Sequence, residues 1–172
     1  FGPDNQLPFK IISMVGCDEV MSQNKMFNVL TCYGNGLQYM DSATQKPTTD
    51  KDIKRWMMHS NIPSFMLEQA TDMKYFFFTV AVLILNREGS QINRIVHKEA
   101  CFCRFAKADK KGHIEYVYYA NWRDQSLKVS DIERIPLLDE CDPLGDLEVR
   151  MGKAYGKDGL KRVRTTDRKF AV

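Results

Sequence analysis

Three histidines, five cysteines and one acidic cluster are the residues of this 172-residue chain whose types could do chemistry. His59, His97 and His113 stand apart. None has a Ser or Cys beside it in a nucleophile setting, and no two are spaced as metal ligands on one helix, so each reads as a structural histidine. Cys17, Cys32, Cys101, Cys103 and Cys141 form neither an even set nor paired Cys-x-x-Cys units, which points to a reducing compartment. Cys101 and Cys103, two apart, share one face of a strand; small buried apolar residues are the simpler reading than a redox or metal pair. Asp139, Glu140, Asp142 and Asp146 could hold a cation, against the simpler reading of a solvated turn. Gly34-Asn35-Gly36 follows a helix and does not lie between a strand and a helix N-terminus, so it is a poor phosphate loop. The expectation is no enzyme: no catalytic, cofactor-binding or metal-ligating residues, and no cofactor.

Charge is distributed unevenly. From Arg150 onward, Arg150, Lys153, Lys157, Lys161, Arg162, Arg164, Arg168 and Lys169 stand against Asp158 and Asp167, a segment charge of +6, whereas the whole chain carries only +3 and the first 149 residues therefore sum to −3. These eight cations are the candidate DNA or subunit contacts. Met151, Leu160, Val163, Phe170 and Val172 are scattered through the segment and Gly152, Gly156 and Gly159 interrupt it, so it is expected to bury little surface of its own.

The elements that would position these residues are read from local signals. Pro8 suits the first turn of a short helix bearing Phe9, Ile11 and Ile12. A second helix spans about Glu19 to Cys32, with Val20, Phe27 and Leu30 at helical spacing and Met26 alongside, and Gly34 and Gly36 end it. Tyr39 to Asp50 reads as a short extended piece passing into a polar loop. Thr49 or Asp50 caps a helix through His59, Asn61-Ile62-Pro63 breaks it, and Ser64 caps a further helix that runs toward Phe76.

From Tyr75 to Tyr119 the pattern is that of a β-meander: Phe76 to Asn86 as a strand buried on both faces, a turn at Arg87-Glu88-Gly89-Ser90, a second extended run from Ile92 to Phe105, a turn at Asp109-Lys110-Lys111-Gly112, and a strand at Ile114 to Tyr119. Ile132 to Leu138 suggests one more strand, with Pro136 at an edge or strand end, and Leu147 to Met151 a short strand or turn of helix. The aromatic residues of this region read as core packing and not as a base-stacking platform, because the RNA-binding sheet motif is absent.

A chain of this length can bury about 70% of its unfolded surface in one core, and 44% hydrophobic content suits a globular domain. The expected fold is α+β, with N-terminal helices packed on an antiparallel meander over residues 1–149 and a basic extended tail over 150–172. The longest apolar run, Phe76 to Leu85, is half of the roughly 20 residues that span a bilayer, so no membrane partner is expected. The chain begins with Phe1 and shows no signal-peptide pattern, consistent with a fragment or a processed product.

The order of Asp4-Asn5 and Leu7-Pro8, a helix ending in Tyr33-Gly34-Asn35-Gly36-Leu37, the strand pair around Asn86-Arg87-Glu88-Gly89-Ser90, then His97-Lys98-Glu99-Ala100 and Ile114-Glu115-Tyr116-Val117-Tyr118-Tyr119 resembles the N-terminal part of tailed-bacteriophage portal proteins, including prophage versions. The resemblance covers residues 2–139. It implies the wing, a mixed helix and sheet region on the outside of a ring, usually of twelve copies, through which DNA is packaged and ejected. It also implies partners: further copies of itself, DNA, the terminase, capsid and head-tail connector proteins, in the virion and, during assembly, the host cytoplasm. Family members continue into stem, clip and crown regions that this sequence does not reach. A nucleic-acid-binding module acting through the basic tail and a small hydrolase with an unrecognised site are the alternatives.

Overall fold

Local capping signals set the helices of the first half. The computed structural model describes residues 1–41, 44–153 and 167–172. Its contacts divide the chain into two units, Phe1–Thr79 and Val80–Val172.

The first unit is helical. Helix α1, Leu7–Cys17, has Pro8 in its first turn and ends at Asp18, whose side chain accepts a hydrogen bond from Met21 N at 2.9 Å and so caps α2, Glu19–Tyr33. Gly34, at φ 52°, ends α2 and donates its N–H to Leu30 O. Asp50 Oδ1 accepts from Asp52 N and Ile53 N at the start of α3, Lys51–His59. The expectation that Ser64 caps the next helix is corrected: α4, Ile62–Phe76, starts after Asn61, which takes a left-handed φ of 47°, while Ser64 lies in the first turn and donates to Glu68 Oε1. Helix α2 packs against α1 and α4, and Lys25 Nζ donates to the Tyr75 hydroxyl at 2.8 Å.

In α2 the residues at helical spacing, Val20, Met26, Phe27 and Leu30, are all exposed, and Val29 is the buried residue of the helix. At 100° per residue these four fall in one arc about 120° wide, roughly opposite the direction of Val29 and Lys25.

Among the described residues, all six strands lie in the second unit. The stretch from Phe76 is not a strand throughout: Phe76 closes α4, Phe77 takes a left-handed φ of 60°, and β1 runs over Val80–Leu85. Val80, Val82 and Leu85 are buried and the residues between are half-buried; Leu85 lies in a cluster with Phe170, the partner of Leu83 and not of Val82, so buried residues fall on both faces of β1. The turn after it forms as the sequence predicts, Asn86 Oδ1 accepting from Ser90 N at 2.8 Å and Gly89 taking φ 68°.

The single meander is corrected to two three-stranded antiparallel sheets. β2, Ile92–Lys98, pairs with β1, but the run to Phe105 is broken by a 3-10 turn at Ala100–Phe102, and β3, Cys103–Phe105, pairs with β4, Tyr116–Tyr119, in another sheet completed by β5, Glu133–Pro136. Pro136 is the last residue of edge strand β5, where its missing N–H costs no ladder bond. Helix α5, Pro143–Arg150, follows the acidic turn, with Asp142 as its cap. The last strand, β6, Lys169–Ala171, lies on β1 so that the first sheet has the order β2-β1-β6. Leu85, Leu138, Leu147, Met151 and Phe170 form a core cluster here, which corrects the expectation that the basic segment buries little: Phe170 is fully covered. The α+β class is as expected.

Candidate functional site

The basic segment is the first place to look for a site. Lys157, Lys161, Arg162 and Arg164 lie outside the described residues. The other four cations do not form one patch. Arg150 Nε donates to Asp146 Oδ2 at 2.9 Å, its Nη2 donates to Leu137 O, and its guanidinium lies 5.5 Å from the Phe170 ring centre. Arg168 donates to the carbonyls of Arg87 and Asp167, and Lys169 pairs with Glu133. Lys153 is exposed, its backbone N–H closing onto Glu148 O.

Arg150 also lines a cavity of about 510 Å³, with Ile114, Tyr116, Leu137 and Leu138 as apolar lining and His113, Glu115, Asp139, Glu140 and Asp146 as polar lining. Three members of the acidic cluster thus meet one space, and the fourth, Asp142, is turned to the α5 amides. Asp146 Oδ2 additionally accepts from Asp139 N at 3.1 Å, and Asp139 Oδ1 from Cys141 N, so these carboxylates act as loop and helix ties. Among the described residues no group of three or more His, Cys, Asp or Glu side chains is placed to hold a metal ion. His59 ends α3, His97 is in β2 and His113 lines the cavity, so the structure keeps the three histidines on separate elements.

Cys101 and Cys103 are both buried free thiols, one in the 3-10 turn and one opening β3, with Cys103 Sγ 3.9 Å from Lys98 O. Arg104, the residue after Cys103, is buried too. Its Nη1 donates to Cys101 O at 2.9 Å and to Cys103 O at 2.7 Å, and the guanidinium sits 5.4 Å from the Trp122 ring centre. Burial lowers its pKa. The arrangement is a brace for the break between β2 and β3.

Sequence reasoning missed a polar group that joins three strands of the second unit. Glu133 Oε2 accepts from Lys98 Nζ at 2.8 Å and its other oxygen accepts from Lys169; Lys98 Nζ also stands 4.0 Å from the centre of the Tyr119 ring. Burial raises the Glu133 pKa, but the bonds from Lys169 and Lys98 outweigh it and hold the carboxyl below its ordinary value. Burial, with Glu99, Cys103, Cys101 and Glu133 nearby, pushes the Tyr119 phenol up to about 12. Lone residues separated by 35 and 36 positions carry no sequence signal for such a group.

The apolar surface is divided as unevenly as the charge. Among the described residues, fourteen of the seventeen exposed large hydrophobic residues belong to the helical unit, from Phe1 to Phe77, whereas only three of the seventeen buried hydrophobic residues, Phe9, Val29 and Ile62, belong to it. The α2 arc of Val20, Met26, Phe27 and Leu30 is part of that surface; it also carries Glu19 and Gln23, while Lys25 falls outside it. No helix is long and apolar enough to cross a membrane among the described residues. No protein-family model, no curated protein and no solved structure matches this chain.

Proposed function

We propose that the chain is the wing-like part of a portal-type ring subunit, a structural component without a catalytic centre of its own, in the ring through which a tailed phage packages and ejects its DNA. The observation that carries the reading is the exposed apolar arc of α2 on a unit that buries so few of its own hydrophobic residues. Monomers rarely leave a contiguous apolar face to water, and such faces mark sites of protein contact. A largely apolar face whose one charge is the acidic Glu19 suits a protein neighbour better than phosphate, and in a ring the neighbour is a further copy. The mixed helix and sheet composition is in keeping with a wing. Ion pairing of Arg150 and Lys169 within the chain weighs against a dedicated DNA-binding arm.

Light scattering across a concentration series tests the reading, with electron microscopy of any assembly. Association is expected to rise with concentration and to be abolished by Val20→Asp with Phe27→Asp, while stability changes by no more than about 0.5 kcal/mol because both side chains are exposed. A chain that stays monomeric up to its solubility limit removes the support.

A further inference from the structure

The sheet of β3, β4 and β5 has two unlike faces. On one, Cys103, Val117 and Ile135 are fully buried. Register fixes the composition of the other: Arg104 of β3 stands opposite Tyr118 of β4, Tyr118 stands opposite Arg134 of β5, and two residues along β4 Tyr116 stands opposite Pro136. Tyr116, Tyr118 and Pro136 are half-buried and Arg134 is exposed. These two tyrosines therefore lie outside the core that the sequence suggested for the aromatic residues of this region.

The two arginines of the face differ in what they hold. Arg104 is buried, donating to the carbonyls of Cys101 and Cys103 and packing near Trp122, so its guanidinium is committed to the chain itself. The guanidinium carbon of Arg134 lies 3.5 Å from the centre of the Tyr116 ring, a separation that fits face-to-face stacking. Among the described residues the Arg134 side chain makes no hydrogen bond or ion pair, and the hydroxyls of Tyr116 and Tyr118 make no hydrogen bond. A planar donor fork is thus presented on an aromatic support, beside a second aromatic ring.

The paired residues of this face carry two positive charges and no negative one, so its complement is an anion. Duplex DNA shows its phosphates but keeps its base faces stacked, and one exposed arginine is a weak hold on it. An acidic peptide offers carboxylates but nothing flat for the rings. A single strand offers both, a phosphate for the Arg134 N–H groups and unstacked bases for the Tyr118 ring and the outer side of the guanidinium.

We infer that this sheet face binds single-stranded nucleic acid, Arg134 holding a phosphate and stacking on one base while Tyr118 stacks on a neighbouring base. Tyr116 is the positioning residue that keeps the guanidinium flat. Phosphates and base faces are common to every nucleotide, so binding is expected to be indifferent to sequence. The inference rests on β3, β4 and β5, and neither on the α2 arc that carries the ring reading nor on the basic segment.

Fluorescence anisotropy of the full chain tests it, with a short labelled strand of mixed sequence made as DNA and as RNA, and with the DNA duplex of the same sequence. The single strand is expected to bind at least about fivefold tighter than the duplex, and Tyr118→Leu to remove at least about that factor, the loss of one stacked base. Arg134→Lys should also weaken binding, since it keeps the charge and loses the plane; being exposed, it serves as the check if circular dichroism shows that Tyr118→Leu does not fold. A strand carrying iodouracil should photo-cross-link to Tyr118. Replacing Lys153, Lys157, Lys161, Arg162 and Arg164 by glutamine should leave the preference for the single strand in place. No binding of either strand, equal affinity for the duplex, or full affinity in both Tyr118→Leu and Arg134→Lys overturns the inference. So does loss confined to the glutamine variant, which moves binding to the basic segment, or displacement of the strand by an equal concentration of polyglutamate, which makes the face a site for acidic peptides. Strand binding retained in an α2 double variant that no longer associates would separate this inference from the ring reading.

Discussion

Lys98 Nζ stands 2.8 Å from Glu133 Oε2, although the lysine closes β2 in one sheet and the glutamate opens β5 in the other. Lys169 of β6 reaches the second oxygen of the same carboxylate, so one side chain, about a third exposed, ties both sheets of the unit. The Glu133 pKa lies below its ordinary 4.5 in the folded chain. Its contribution is therefore complete above about pH 4.5, where the unfolded carboxyl is also charged, and is lost as pH falls through the lower folded value. Glu133→Gln is expected to cost about 1–2 kcal/mol at pH 7, between exposed and buried ion pairs, and to flatten the acid arm of the stability profile. Urea unfolding at pH 7 and pH 3 measures both; a cost that is equal at the two values counts against the tie.

Tyr119 titrates in the opposite direction. Its phenol is raised from 10.0 to about 12, so it favours the folded chain below pH 10 and that contribution fades as pH rises toward 12. Phenolate absorbance should show one of the seven tyrosines ionising late, and Tyr119→Phe should remove that late step. A variant titration curve that superimposes on the parent above pH 11 would contradict the burial given for this ring.

Val82 sits at the centre of the β2-β1-β6 sheet and is fully covered. Val82→Asp is expected to cost several kcal/mol, because the site offers a carboxylate neither water nor a counter-ion, and to leave the chain insoluble or unfolded. Circular dichroism melting is the check. An unchanged midpoint would show that β1 is peripheral.

Duplex DNA should bind weakly and lose that binding near physiological salt, since Arg150 and Lys169 are already paired with Asp146 and Glu133. Removing the basic segment to test this would also remove Phe170 from the core, so the clean variant replaces Lys153, Lys157, Lys161, Arg162 and Arg164 by glutamine in the full chain. A salt series gives the number of phosphates neutralised, at about 0.9 in log–log slope for each. Submicromolar affinity at physiological salt that vanishes in the glutamine variant would shift the conclusion to a nucleic-acid-binding module.

The sequence by itself determined what depends on neighbours along the chain. Asp18 and Asp50 are caps because a carboxylate reaches amides two or three residues ahead, Gly34 ends α2 because it tolerates positive φ, and Asn86 to Ser90 and Asp109 to Gly112 are turns for the same local reasons. Ser64 misled because it had the right type but lay three residues inside α4, where Pro63 and the left-handed Asn61 had already started the helix. Periodicity located α2 as a helix but not the direction its apolar arc would face, since the same spacing serves a core or a partner. The tertiary structure alone decided that Val29 is buried and Phe27 exposed, that the meander splits at Ala100–Phe102, and that Lys169–Ala171 pairs with β1 more than eighty residues earlier. A three-residue strand in a basic, glycine-containing stretch has no period to read, and its stability comes entirely from a groove assembled by distant parts of the chain.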